Sequence, residues 1–186
     1  MRRKDREMDR SFGLYVIDKA RFGVLTTIGE DGIPYSVPVS PARVGDSIYL
    51  HSAPEGRKID NLKFNDAVTM VFVGDTHIPD PIQPEEFEAL KAANQVASVV
   101  ANKFTTEFES AILTGTAVFV TSDEEKLNGL RAISEKFTPL NMPYFEAAAE
   151  SGMSRVVVIR VDIETLTAKR KKYDADGVEM KWGRME

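Results

Sequence analysis

The chain of 186 residues is 42% hydrophobic and 28% charged, carries a net charge of −5 and contains no cysteine. Such a composition fits one globular domain with a substantial core, excludes disulfides and thiolate metal centres, and argues against nucleic acid as the main partner, because a phosphate backbone wants a basic face. No apolar run approaches the roughly 20 residues of a membrane helix, the charged start MRRKDREMDR is not followed by the apolar stretch of a signal peptide, and lack of cysteine suits a reducing, cytoplasmic setting.

Residues 1–8 read as a loose charged arm. A short helix is expected over 9–20, with Phe12, Leu14, Val16 and Ile17 inward and Gly13 weakening it. A strand follows at 22–28, then a GEDG turn at 29–32. The second strand, 33–44, contains Pro34, Pro38 and Pro41, none of which has an N–H for a ladder. It therefore demands an edge, a bulge or a bend, and its free main chain is a place for a flat ligand to dock. A turn at 45–46, a strand at 47–51, and a helix at 57–64 with Ile59, Leu62 and Phe64 inward come next. The strand at 67–73 is apolar on both faces and so expected to be central.

The segment 75–107 interrupts the strands. It opens with a proline-rich loop that leaves His77 exposed, and a helix from 85 to 94 continues toward 103. Its stripe of Phe87, Leu90, Val96, Val99 and Val100 must bury on something; a lid over a pocket and a peripheral helix thickening a dimer fit equally. A strand at 111–121 holds Gly115, which marks a bulge or a close approach. Ser122 caps a helix at 123–137, with Glu125 completing a capping box. After a turn and a short helix at 138–153, a strand runs over 155–163. The tail adds an edge strand, with the basic run 169–172 on the surface, and ends on Lys181, Trp182 and Arg184. Six strands with tight turns predict a mainly β fold: a six-stranded antiparallel split barrel with flanking helices, one domain over 1–186 with a helical insertion at about 75–107.

The stretch YLHSAPEGRKIDNLKFNDAVTMVF, 49–72, organises the chain. It reads as a strand end, a polar loop, a helix and another strand, and its loop holds His51, Ser52, Gly56, Arg57 and Lys58. Two adjacent cations, a glycine and the free backbone donors of a helix start suit a small phosphate. The plain alternative is a solvated helix start. Tyr49 and His51, two residues apart, share a face of their strand. His51 taken alone is a packing or hydrogen-bonding residue, and two histidines so placed form no metal site.

The strings FGVLTTIGEDGIPYSVPVS, IYLHSAPEGRKIDNLKFNDAVTMVFVG and ESAILTGTAVFVTSDEEK, and HSAPEGRK at 51–58 above all, resemble the FMN-binding split-barrel proteins related to pyridoxamine 5′-phosphate oxidase. The nitroimidazole-resistance branch is the nearest in pattern. The resemblance covers about 1–74 and 108–168; the segment 75–107 has no counterpart. It implies a homodimer with FMN between subunits. Gly56, Arg57 and Lys58 would meet the phosphate, His51, Ser52 and Ala53 would line the ribityl chain and ring edge, and Pro38, Val39 and Ser40 would give main-chain contacts to the ring. Tyr49 would lie alongside. Trp182 reads as a packing or dimer residue; stacking of Trp182 or Arg184 on the partner's flavin is the alternative. The function implied is an FMN-dependent oxidoreductase acting on small molecules, nitro-aromatics or other electrophiles among them. NADH or NADPH would serve as a transient donor, since no G-x-G-x-x-G fingerprint is present. A non-catalytic flavin or haem module for storage or sensing, and a cofactor-free interaction domain, are the competing readings.

Overall fold

The computed structural model describes residues 2–184. Strand β1 (Glu7–Met8) and helix α1 (Arg10–Lys19) lead into β2 (Gly23–Ile28), β3 (Pro34–Val39), β4 (Ala42–Val44) and β5 (Ser47–Ser52). Helix α2 (Arg57–Phe64), β6 (Ala67–His77), α3 (Pro84–Ala92), α4 (Val96–Lys103), β7 (Glu107–Phe119), α5 (Asp123–Phe137), α6 (Phe145–Gly152) and β8 (Val157–Lys171) follow. The sheet has eight strands rather than the six expected. The second strand of the sequence reading is cut in two at Ser40–Pro41, and β1 arises in the arm read as loose.

All pairs are antiparallel, in the order β3-β2-β6-β7-β8-β5-β4, with β1 beside β8. The two edge strands, β3 and β4, are neighbours in sequence, with only Ser40 and Pro41 between them. Three Cα steps span at most about 11 Å, so the sheet has to roll until its edges meet. They meet without pairing, and the barrel is split along that seam.

Alternation fills the barrel. Leu25, Ile48, Leu50, Met70, Phe72, Leu113, Ile159 and Val161 are fully buried. Strand β6 is central, between β2 and β7, but it is not apolar-buried on both faces: Val68, Met70 and Phe72 point in, while Val73 is exposed. Helix α1 closes one side with Phe12, Val16 and Ile17, and its N-cap Asp9 accepts from Phe12 N at 2.8 Å. Gly13 is there because a Cβ would press to 3.0 Å from Leu166. Helix α2 covers the barrel through Ile59 and Leu62, whereas Phe64 points out to solvent.

Helix α5 is capped by Ser122, whose Oγ accepts from Glu125 N at 3.4 Å. The reciprocal half of the capping box does not form. The Glu125 carboxylate instead accepts from Tyr49 Oη (3.0 Å) and Arg160 Nη1 (2.7 Å). Arg160 also donates to Asp162 (2.8 Å), which accepts from Ser47 Oγ (2.8 Å). A partly covered charge network thus outcompetes a local helix cap.

The basic run at 169–172 is not a surface run. Strand β8 continues to Lys171, and Arg170 and Lys171 are only 3% and 8% exposed. The Arg170 guanidinium lies over the Phe12 ring and donates to Arg184 O, and Lys171 donates to Thr105 Oγ1. The tail folds back as cover: Met180 is buried with its N–H on Lys172 O (2.8 Å), and Trp182 N–H donates to Asp5 O (2.7 Å). Arg6 pairs with Glu179 at 2.5 Å, so the expected loose arm is one half of a clasp. The Trp182 side chain is 75% exposed and packs no core of its own chain.

The segment between β6 and β7, expected to begin at about 75, runs over 78–106, since His77 and Glu107 pair as the last rung of the two strands. His77 therefore ends a strand rather than sitting in a loop; its imidazole is exposed, 3.9 Å from Glu107. The expected single helix is two, broken where Asn94 adopts φ +58°, a left-handed geometry asparagine tolerates. Of the apolar stripe, Val99 is buried and Phe87, Leu90 and Val96 are half-buried; the Val100 side chain lies outside the described residues.

Gly115 sits where the β7–β8 register shifts, and a Cβ there would lie 2.2 Å from Asp162 O. That neighbour is backbone in the centre of the sheet and cannot swing aside. Gly115→Ala is expected to cost about 1–3 kcal/mol, read as a drop of about 2–12 °C in thermal midpoint for a domain of this size. An unchanged midpoint would contradict the packing described here.

Candidate functional site

The seam creates two unpaired edges facing one another. Strand β4 reaches only as far as the pair Ala42↔Tyr49, so Leu50–Ser52 have no strand on that side. Strand β3 is the opposite edge of the sheet. Its Val37 and Val39 pack toward the core, while Ser36, Pro38 and Ser40 are exposed. Pro34 and Pro38 fall on the same side of the strand and withhold N–H groups from any further ladder. The two candidate ring-contact groups, Pro38–Ser40 and His51–Ala53, therefore flank one gap. The vertex of the gap is Pro41, buried against Gly23, where a Cβ would come 3.2 Å from the Pro41 ring and 2.8 Å from that of Phe72.

The loop after β5 enters α2 through Gly56 at φ +111°, a backbone geometry that suits glycine. No side chain caps the helix; Ile59 N and Asp60 N bond Gly56 O, so the N–H groups of Arg57 and Lys58 are those of an open first turn. Nothing lies within 4 Å of where a Gly56 Cβ would stand. Lys58 is partly buried and, among the described residues, has no hydrogen-bond or ion-pair partner; burial pushes its ammonium below its ordinary pKa. A half-covered cation without a counter-ion beside open helix donors has the chemistry to hold an oxyanion.

Arg57 is placed differently. Its guanidinium reaches Asp31 at 3.2 Å and lies over the Tyr35 ring, 5.0 Å from the centroid. It braces the β2–β3 hairpin, and adjacent helix positions do not face each other. The structure therefore separates the two cations that the sequence reading joined. Tyr49 is likewise drawn elsewhere: α5 lies on its ring at Gly129, and its hydroxyl is held by Glu125. His51 stays on the exposed outer face, yet surrounding protein first and the Lys58 charge second push its imidazole below the ordinary value. Ser52 is half-buried and Ala53 exposed.

Two features of the site escaped the sequence reading. Asn61, buried on α2, donates to the fully buried Thr27 Oγ1 at 3.0 Å and ties the helix to β2. Lys136, in the last turn of α5, donates from Nζ to Ile17 O (2.9 Å) and to Pro41 O (3.1 Å). The signal for Lys136 was its place three residues after Ile133 and seven after Gly129, on the buried stripe of α5. Just beyond the start of β2, next to Gly23, a depression of about 540 Å³ is lined by Lys19, Arg21, Phe22, Val73, Asp75 and Thr76, among others.

The family model of pyridoxamine 5′-phosphate oxidase matches residues 14–170, nearly the whole barrel. The chain belongs to the pyridoxamine 5′-phosphate oxidase family. No curated relative matches the sequence. Among solved structures, a Bacteroides thetaiotaomicron protein provisionally assigned to 5-nitroimidazole antibiotic resistance is similar at 22% identity and a TM-score of 0.64, over 87% of this chain and 84% of that one. An FAD- and haem-binding protein of Mycobacterium smegmatis aligns at 16% identity and 0.66, over 96% and 83%. A haem storage protein of Vibrio cholerae aligns at 14% and 0.55, over 86% and 91%. At these identities the likeness establishes the fold. In this family member, no described helix is long and apolar enough to cross a membrane.

The depressed imidazole of His51 has a sign. The folded chain gives up that proton more readily than the unfolded one, so the contribution of His51 to stability is present above the ordinary imidazole value, about 6.5, and is lost as pH falls below it. Replacing Lys58 by Met removes the second cause and leaves the first. The His51 midpoint, followed by proton NMR of the ring, is expected to rise but to stay below the ordinary value. No movement at all would show that the two groups do not sense each other.

Proposed function

We propose that the chain binds FMN along its seam and acts as a flavin-dependent oxidoreductase. The observation that carries this reading is Lys58, a partly buried cation with no hydrogen-bond or ion-pair partner among the described residues, at the open start of α2, at the end of the gap between β3 and β5. Lys58 Nζ and the N–H groups of Arg57 and Lys58 would hold the phosphate, with Gly56 giving it room. The exposed main chain of Pro38–Ser40 and of His51–Ala53 would orient the flat ring. Val37 and Val39 stiffen that strand from the core side. A bound flavin accepts and passes on a hydride or electrons, and the protein has only to seat and tune it.

A small electrophile, a nitro-aromatic among them, would be taken in the depression at Arg21, Phe22 and Val73, beyond the Gly23 end of β2. NADH or NADPH would visit the same face as donor. The fold shared with the Bacteroides protein supports this choice of substrate class. A homodimer is part of the proposal. Strands β6 and β7 present Val73, Ile112 and Val118 on the outer face, with Val71 opposite Ile112, and a second copy would cover that patch and complete the pocket.

One observation favours a second reading. His51 is exposed on the outer face with its imidazole held toward the neutral form, the form that ligates iron, and fold-mates include haem-binding and haem storage proteins. A single spectrum separates the two: flavin absorbs as a yellow chromophore that NADH or NADPH bleaches anaerobically, and haem gives a Soret band. In a titration with FMN, Lys58→Ala is expected to weaken binding by about 1.5–3 kcal/mol, or roughly one to two decades. Wild-type protein that stays colourless with excess FMN sinks the proposal, and equal affinity in the variant removes Lys58 from the phosphate seat.

A further inference from the structure

We propose that Lys136 is a positioning residue for the ring half of the seam: its ammonium fixes the main chain at Pro38–Pro41 in the shape that meets a flavin ring. The inference rests on the flavin reading. Lys136 itself stands behind the segment and belongs to a different layer, α5.

The break between β3 and β4 leaves Pro41 O outside both ladders. Ile17 O is in a similar position. Helix α1 ends at Lys19, so Val16 O takes the N–H of Ala20 while the carbonyl one residue on has no amide four residues ahead in helical geometry. Lys136 Nζ answers both, at 2.9 Å to Ile17 O and 3.1 Å to Pro41 O. A cation is also what the negative end of a helix favours. One ammonium thus binds the end of α1, the end of α5 and the vertex of the seam together.

The vertex is gripped from both sides. Pro41 rests on Gly23 through its ring and on Lys136 through its carbonyl. Val39 is held by its pairing with Gly23. Ser40 lies between two fixed neighbours, and its exposed main chain has little freedom left. The charged groups around Lys136 are Asp18, Arg43 and Glu135. Asp18 is already held by Arg43, at 2.5 and 2.9 Å, which leaves the lysine committed to carbonyls rather than to a carboxylate.

A ring-positioning lysine and a phosphate-holding lysine differ in what they discriminate. FMN and riboflavin share the ring and differ in the phosphate. Both are titrated into wild-type protein, Lys136→Met, Lys136→Arg and Lys58→Ala, and the visible-region circular dichroism of the bound flavin and the thermal midpoint are recorded for each. Lys136→Met is expected to weaken FMN and riboflavin alike, by about five- to tenfold, and to change the dichroism of the bound ring. Lys136→Arg recovers most of both, while Lys58→Ala weakens FMN and leaves riboflavin as it was. The inference is overturned if Lys136→Met binds both flavins with wild-type affinity and dichroism. It is equally overturned if only FMN is weakened, or if the whole loss follows unfolding in the thermal scan and arginine restores nothing. Wild-type protein that takes up neither flavin overturns the flavin reading together with this inference; wild-type binding with an indifferent Lys136 overturns this inference alone.

Discussion

The structure depends on a short tether. Ser40 and Pro41 are all that separates one edge of the sheet from the other. A flat sheet of this strand order would need those edges many strand widths apart, at about 4.8 Å each. The tether forbids that, so curvature is imposed by covalent connection before any core packing is considered. Proline at 34, 38 and 41 then stops the edges from zipping together. What remains is a cleft bordered by main chain, with Val37 and Val39 packed on the core behind it. A rim of that kind has the shape and the free main-chain groups that the proposed flavin would use.

Charge is distributed to suit that cleft. The chain is acidic overall, and many of its cations are paired with carboxylates: Arg43 with Asp18, Arg160 with Asp162 and Glu125, Arg131 with Glu146, Lys19 with Asp75 and Glu109. Lys58 stands apart from them at the mouth of the seam. An unpaired cation in a partly covered place is held at a disadvantage that an anionic ligand relieves. That contrast, more than the presence of two adjacent basic residues, makes the position stand out. The neighbouring Arg57, which the sequence alone could not tell apart from it, is committed to the hairpin.

Much of this was legible in the sequence because it is local. The helix 57–64 emerged at those bounds, Gly32 and Gly45 sit in the turns at positive φ, and Gly115 marks a close approach between strands. The prolines announced an edge, and the edge is there. What stayed hidden is non-local. Lys136 acts on carbonyls 119 and 95 residues away, and no spacing along α5 encodes that. Glu125 looked like the second half of a capping box, but Arg160 and Tyr49 claim its carboxylate from other strands. Arg170 and Lys171 looked solvated until both ends of the chain closed over them. In each case a charged side chain chose a distant partner over a near one, and composition and periodicity are silent about such choices.

The position of β8 carries a further consequence for how the chain is made. It lies between β7 and β5, yet it comes after all other strands in the sequence. A nascent chain that ends before Val157 holds a β3-β2-β6-β7 piece and a β4–β5 hairpin joined to it through Ser40 and Pro41 but paired with none of its strands. The second wall of the cleft has no place in the sheet until this closing strand leaves the ribosome, so the seam takes shape only after every other strand has been made.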